Sequence, residues 1–130
     1  MAFPTGNKTL PGYPQQVGAK YQVIFDHTGP TSYTRYVTGA TPVGGDIITA
    51  ASLGLGGFDN VDDTVDTTGQ INAVVVMDKA GTANAVPQVT IKYYALVTAT
   101  LGGQAQTIGT EIAASTNLST FSFRFESYMV

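Results

Sequence analysis

The chain has 130 residues, the size of a single domain, with 12% charged side chains and a net charge of −3 at pH 7. This balance argues against the basic patch that neutralises nucleic-acid phosphates, so we expect no nucleic-acid partner. Cysteine is absent, which excludes disulfides, thiol catalysis and thiolate metal sites. No apolar run reaches the roughly 18 residues of a membrane span, and residues 1–14 hold no stretch apolar enough for a signal peptide, so we expect no membrane partner.

The N-terminal residues 1–18, MAFPTGNKTLPGYPQQVG, are rich in proline and glycine. Proline has no N–H to donate to a sheet ladder, and the segment holds too few apolar side chains for a core of its own. We therefore predict an extended N-terminal arm over residues 1–18 and a β-domain over residues 19–130. The arm is predicted to contact a neighbouring subunit instead of packing on its own domain. Its predicted apolar anchors are Phe3, Leu10 and Tyr13.

Beyond the arm, apolar side chains recur with the two-residue period that is typical of β-strands. KYQVIF (20–25) and SYTRYV (32–37) both alternate in this way, and GDIITAASL (45–53) is a less regular third candidate. INAVVVMD (71–78) is a continuous apolar run, which predicts a strand that is covered on both faces.

The two C-terminal candidate strands show the period most clearly. PQVTIKYYALVTAT (87–100) is the longest, and STFSFRFESYMV (119–130) alternates most regularly. The predicted common face of the first consists of Ile91, Tyr93, Ala95 and Val97. In the second, we expect Phe121, Phe123 and Phe125 to point inward and Arg124 and Glu126 outward, because one alternation cannot bury both sets.

The pattern of the whole chain predicts an all-β fold. Glycine- and proline-containing turns such as HTGP, TPVGGD and LGGQ separate the candidate strands. No segment carries a helical stripe, and TEIAAST (110–116) has room for one helical turn at most. Short strands at regular spacing indicate a single-domain antiparallel β-sandwich or jelly roll.

An acidic cluster within FDNVDDTVDTTG (58–69) is the first candidate site. Its members are Asp59, Asp62, Asp63 and Asp66. An EF-hand loop needs ligands at alternate positions, a central glycine and a closing glutamate, and this spacing provides none of them. Aspartate also bonds backbone amides in turns, so we predict carboxylates on or beside a surface loop that meet water and do no chemistry. No basic residue lies between Arg35 and Lys79 to pair with them. Ca²⁺ is the alternative ligand, because carboxylates supply the hard oxygen atoms that it prefers.

The single histidine, His27, is the second candidate. It follows Asp26 in FDHTGP, and many serines are present, so counting residues does not exclude a Ser/His/Asp set. No G-x-S-x-G motif surrounds any serine, and Ser52 in AASLGLGG lacks it. We interpret His27 as a hairpin residue near a turn. The glycines at 54–57 open no helix and form no phosphate-binding motif. The sequence therefore predicts no catalytic residue and no cofactor.

The C-terminal part carries a family resemblance. Lys92-Tyr93-Tyr94, Gly109-Thr110-Glu111, Thr116-Asn117-Leu118-Ser119 and the alternating strand Phe121–Phe125 follow one another in the order found in that family. Upstream, GLGGFDNVDDTV (54–65) resembles the same family's G-L-x-x-I-D-x-V, with Phe58 and Asp59 in place of the isoleucine and aspartate. Over roughly residues 50–130 the chain resembles small all-β structural proteins of tailed bacteriophages.

This resemblance implies a capsid-associated structural role, with head decoration or cementing favoured, and no catalytic residues. The expected partner is the major capsid protein, and the expected assembly is a homo-oligomer, with a trimer favoured. The expected location is the exterior of the virion capsid, after assembly in the host cytoplasm.

Two other function classes stay open at this point. A carbohydrate- or receptor-binding β-sandwich on a virion would use exposed tyrosines such as Tyr33 or Tyr36 to stack on a sugar, although tyrosine in strands usually packs. The chain has no tryptophan, the residue most expected in a carbohydrate site. A hydrolase would need a pocket that contains His27 and a nucleophile.

Overall fold

The computed structural model describes residues 7–37, 43–78 and 88–129. Within them, almost all regular structure is antiparallel strand, with one short 3-10 helix at Ala50–Leu53. The strands are β1 (Asn7–Thr9), β2 (Gln15–Val17), β3 (Lys20–Thr28), β4 (Asp46–Thr49), β5 (Asn60–Val61), β6 (Thr64–Val65), β7 (Ile71–Asp78), β8 (Gln88–Ala95), β9 (Ala99–Leu101), β10 (Gln104–Gln106) and β11 (Ser122–Met129). No helix of the described residues is both long enough and apolar enough to cross a membrane.

The first sheet is built on the pairing of β3 with the C-terminal strand β11. They run antiparallel from the Thr28–Ser122 pair to the Tyr21–Met129 pair, and β5 extends the sheet beyond β11. The other edge of β3 is shared by β2 near its beginning and by β1 near its end. The centre of this sheet thus pairs the third strand of the described residues with the last.

The N-terminal segment therefore differs from the predicted arm. β1 and β2 both pair with β3, and the backbone N–H of Leu10 donates to Ile24 at 2.9 Å. The prediction that the segment leaves its own domain is wrong for residues 7–17, because backbone hydrogen bonds hold them at the edge of β3. The predicted boundary between residues 18 and 19 falls inside the turn from β2 to β3. Phe3 lies outside the described residues, and contact of the segment with a neighbour stays a prediction.

The second sheet has the strand order β4–β8–β7–β6. β7 and β8 pair over their whole length, and β4 and β6 close the two edges. A separate hairpin of β9 and β10 turns at Gly102 and Gly103, which have φ angles of 58° and 83°. Gly102 is needed for a second reason, since a Cβ there would lie 2.2 Å from the carbonyl oxygen of Asn117.

The two sheets enclose one aromatic core. Phe25, Phe123 and Phe125 have no exposed surface, and the Tyr93 ring of the second sheet lies 5.0 Å from Phe123 of the first, centroid to centroid. The predicted faces of β11 are confirmed: Phe121, Phe123 and Phe125 are buried, and Arg124 and Glu126 are exposed. The predicted face of β8 is also confirmed, with Ile91, Tyr93 and Ala95 buried and Val97 packed against the core. The all-β sandwich is confirmed, whereas the strand order does not establish the jelly roll.

Four strand predictions need correction. PQVTIKYYALVTAT is a strand only over Gln88–Ala95, and a separate strand, β9, begins at Ala99. SYTRYV is not a strand: the N–H of Tyr33 donates to Thr116 at 2.9 Å, and only Val37 forms a bridge, to Val43. GDIITAASL is a strand only up to Thr49, after which the 3-10 helix begins. INAVVVMD is a strand in its predicted place, but it is not covered on both faces, because Val74 and Val76 are only half-buried.

Candidate functional site

The acidic cluster does not converge on one point. Asp59 forms an ion pair with Lys20, Asp62 accepts a hydrogen bond from Asn60 at 2.8 Å, and Asp63 accepts one from the backbone N–H of Val75 at 2.8 Å. No basic residue lies near the cluster in sequence, but folding brings Lys20 to Asp59 from 39 positions away. Among the described residues, no group of three or more acidic or histidine side chains is arranged to hold a metal ion.

Asp66 is the exception to the surface-loop prediction, because it is buried with 4% exposure. Its carboxylate accepts hydrogen bonds from the backbone N–H groups of Thr68 at 2.9 Å, Gln70 at 2.7 Å and Ile71 at 2.8 Å, and from the Thr68 hydroxyl. Burial by itself raises the pKa of Asp66, but these hydrogen bonds favour the ionised form and together lower the pKa below its ordinary value. Asp66 therefore organises the turn between β6 and β7.

His27 lies at the centre of a buried polar network between the sheets. Ser52 Oγ donates to the Thr49 carbonyl at 2.7 Å and accepts from Asn7 Nδ2 at 3.3 Å, which leaves Asn7 Oδ1 facing His27 Nδ1 at 2.6 Å. On the other side of the ring, Nε2 lies 2.5 Å from Asp46 Oδ2. Both ring nitrogens thus lie within hydrogen-bonding distance of side-chain oxygens. The His27 side chain joins β1 and β3 of the first sheet to β4 of the second.

Two buried tyrosines continue the network through β8. The Tyr93 hydroxyl donates to Asp46 Oδ2 at 2.7 Å, and the Tyr33 hydroxyl donates to Glu111 at 2.7 Å while it accepts from the backbone N–H of Tyr93 at 3.3 Å. Burial raises the pKa of Tyr93, and the Asp46 carboxylate raises it further. Burial and then the bond to Glu111 raise the pKa of Tyr33. Both phenols therefore stay protonated and keep donating at neutral pH.

A surface depression of about 550 Å³ opens beside His27. It is lined by His27, Thr28, Gly29, Pro30, Thr31, Asp46 and Ser119, and so contains the three residue types of a hydrolytic triad. However, Asn7 and Asp46 occupy both nitrogens of His27, so in this geometry the ring has no free nitrogen to accept a proton from Ser119. The arrangement fits a structural link better than a general base.

Sequence reasoning missed this network. His27 was interpreted as a hairpin residue near a turn, and it does lie at the end of β3, but its bonds reach Asn7, 20 positions away, and Asp46, 19 positions away. Tyr93 joins Asp46 from 47 positions away. The available signal was weak: one histidine that alternates in phase with the buried Val23 and Phe25 of a predicted strand.

The predicted arm residues lie on the first sheet. Leu10 is half-buried in a depression of about 380 Å³ that also involves Ile24, Arg124 and Glu126, and Tyr13 is half-buried. Leu10 therefore packs on its own domain.

The outer faces of the two sheets differ in chemistry. That of the first sheet carries Arg124, paired with Asp26 at 2.9 and 3.1 Å, and the exposed Glu126. We define the outer face of the second sheet by the described side chains that point away from the core. They are Ile47, Thr49, Val65, Asn72, Val74, Val76, Gln88, Thr90, Lys92 and Tyr94. Four of them are aliphatic; Ile47 is 51% exposed and Val65 45%, whereas Gln88 and Thr90 are buried.

Lys92 is the charged member of that set. Its ammonium lies 5.5 Å from the ring centre of Tyr36 and 5.8 Å from that of Tyr94, distances at which a cation is attracted to an aromatic face. The side chain is half-buried, and none of the carboxylates that the structure describes forms an ion pair with it.

No family model, curated protein or solved structure matches this chain.

Proposed function

We propose that this protein is a non-enzymatic virion structural protein, a decoration or cement protein that binds and stabilises the head of a tailed bacteriophage. The observation that carries the proposal is the contrast between the outer faces of the two sheets. The outer face of the first sheet exposes one aliphatic side chain, Val17, among charged groups, whereas the second sheet and the neighbouring Val37–Val43 bridge expose four: Ile47, Val65, Val37 and Val43. Contiguous exposed apolar surface is typical of protein–protein contact.

The resemblance of residues 50–130 to phage structural proteins supplies the kind of partner. It favours the major capsid protein, a homo-oligomer with three subunits, and a location on the capsid exterior after assembly in the host cytoplasm. The buried network supports this role physically, because a cement protein has to keep its shape under load. His27 and Asp46 link the two sheets, so the sandwich resists sliding of one sheet on the other.

A carbohydrate- or receptor-binding module is the second candidate. The observation in its favour is the pair of tyrosines, Tyr36 and Tyr94, on either side of Lys92. Aromatic side chains with a polar tip are common where a surface binds polar ligands. Titration with a glycan panel separates this candidate from the first, because a cement protein gives no saturable response.

The proposed function is tested by cosedimentation. Capsids of the phage that encodes the chain are purified without this protein, mixed with the purified chain and pelleted. We expect saturable binding, a raised temperature of capsid disruption, and regularly arranged density on the outer surface in cryo-EM. Sedimentation velocity of the chain alone gives its oligomeric state. Absence of saturable binding to these capsids, or binding only to their interior, overturns the proposal.

A further inference from the structure

We propose that the outer face of the second sheet is the docking surface, and that it fits an apolar patch of the capsid protein around an aspartate or glutamate that pairs with Lys92. This inference rests on the proposed function and adds the surface, the central residue and the chemistry of the partner.

Lys92 occupies the middle of this face by register. Its antiparallel neighbour on β7 is Val74. Two residues earlier on β8, Thr90 pairs with Ile47 on β4 and with Val76 on β7. In the other direction, Tyr94 pairs with Asn72, whose other neighbour is Val65. The positive charge thus has Val74 as its cross-strand neighbour, Tyr94 and the buried Thr90 on either side along β8, and the Tyr36 ring 5.5 Å away.

This surrounding determines which partner fits. Covering the face with an apolar surface alone would remove water from the ammonium without replacing its hydrogen bonds, which is unfavourable. The two rings of Tyr36 and Tyr94 offset only part of that loss, since they attract the cation but accept no strong hydrogen bond. A carboxylate at the centre of the partner's patch supplies both the charge and the acceptors.

The same charge argues against a symmetric dimer through this face. A two-fold axis through its middle would bring Lys92 against Lys92 of the second copy, and like charges at an interface are unfavourable. A different protein that carries the opposite charge avoids this repulsion. The occupant is therefore the capsid protein. The test below also detects the alternative, a second copy of this chain that contacts the face without placing the two Lys92 side chains together.

The size of the face indicates how far the contact extends. β7 and β8 have eight residues each, β4 has four and β6 has two. At about 3.3 Å per residue and about 4.8 Å between strands, the face covers roughly 350 Å². A stable interface takes about 800 Å² from each partner. The missing area is available next to the sheet, where Val37 and Val43 are 57% and 58% exposed beside Tyr36. We include these two residues in the docking surface.

The test compares four variants in the capsid cosedimentation assay. Lys92→Met keeps the length of the side chain and removes its charge, Lys92→Glu reverses the charge, and Ile47→Asp places a charge in the exposed apolar part. Arg124→Met is the matched control, because Arg124 is an exposed cation on the opposite outer face. Thermal unfolding of each variant identifies any that fails to fold, and Ile47→Ser replaces Ile47→Asp if needed.

We expect Lys92→Met to weaken capsid binding at least about tenfold, Lys92→Glu to weaken it more, and Ile47→Asp to abolish it. Arg124→Met should bind within about twofold of the wild type, and Lys92→Met should make binding less sensitive to salt.

Unchanged binding of Lys92→Met overturns the proposed pairing even if Ile47→Asp is defective. Unchanged binding of Ile47→Asp overturns the docking surface while the proposed function stands. If the chain alone forms oligomers that Ile47→Asp dissociates, the occupant is a second copy and the inference is wrong. Failure of the wild type to bind capsids counts against the proposed function instead.

Discussion

Single residues in this chain take very different roles although they look alike in the sequence. The four aspartates between residues 59 and 66 form one acidic cluster by spacing, but only Asp66 is buried and bonded to the backbone on several sides. The ionised carboxylate of Asp66 stabilises the turn from β6 to β7, because backbone N–H groups donate hydrogen bonds to both of its oxygens. The exposed Asp62 instead accepts a side-chain hydrogen bond from Asn60, and its backbone N–H donates to the carbonyl of Glu126.

Asp66→Asn should therefore lower stability in a way that depends on pH. The pKa of Asp66 is lower in the folded chain than its ordinary value of 3.8, so the carboxylate contributes stability above about pH 4, and this contribution is lost as pH falls through the folded value. We expect a loss of about 1–3 kcal/mol at pH 7 in urea denaturation. The difference from the wild type should shrink below pH 4. Asp62→Asn is the control, and a loss that stays constant from pH 7 to pH 2.5 contradicts the prediction.

For single residues, the sequence predicts those features that depend only on neighbours along the same strand. The inward phenylalanines of β11 are predictable, because alternation along one strand decides which side meets the core. The roles of Asp66 and His27 are not, because each depends on groups that only the folded chain brings together. For Asp66 these groups are amides of its own turn, and for His27 they lie on two other strands.

At the scale of elements, the strands that pair along their full length were the predictable ones. β3 and β11 lie where the period of two residues is most regular, and β7 lies in the continuous apolar run over residues 71–78. SYTRYV has the same period but is held by side-chain bonds, since the Tyr33 hydroxyl reaches Glu111, 78 positions away, and Arg35 donates to the carbonyl of Ile112 at 3.1 Å. A pattern of side chains does not report such distant acceptors.

The N-terminal segment provides the element-scale prediction. Deletion of residues 2–14 removes β1 and the Asn7 acceptor of His27, so it should lower the melting temperature by about 5–10 °C. Deletion of residues 2–6, which retains β1 and Asn7, is the matched control and should lower the melting temperature less. If Phe3 contacts a neighbouring subunit, the shorter deletion also weakens capsid binding. Differential scanning calorimetry and cosedimentation measure the two effects. A melting temperature that is unchanged after the longer deletion would show that β1 contributes nothing to the fold.

At the scale of the whole molecule, the all-β sandwich was predictable from composition and period, whereas the way its sheets are joined was not. β8 belongs to the second sheet and the last strand, β11, to the first. The ring contact of Tyr93 on β8 with Phe123 on β11 connects the two sheets. Apolar contacts of this kind do not define one relative position of the two sheets. The bonds from His27 to Asn7 and Asp46 do, since hydrogen bonds require particular distances and directions.

These bonds should therefore hold the two sheets in their relative position. His27 is 3% exposed, and the Asp46 side chain is 15% exposed, so neither side chain is well solvated without the other. Removing His27 leaves the poorly solvated Asp46 carboxylate without one of its hydrogen-bond partners, which is unfavourable. Replacing both residues should be less harmful than removing the histidine alone.

We expect His27→Ala to lower the free energy of unfolding by about 3 kcal/mol in urea denaturation at pH 7, because Asp46 and Asn7 lose their common hydrogen-bond partner. The double variant His27→Ala/Asp46→Asn should be at least as stable as His27→Ala, since the unpaired carboxylate is gone. Lys8→Ala, an exposed change on the same strand as Asn7, is the control and should cost less than about 0.5 kcal/mol. Losses that simply add in the double variant, or a His27→Ala loss no larger than that of the control, would show that the sheets are held together by apolar contacts alone.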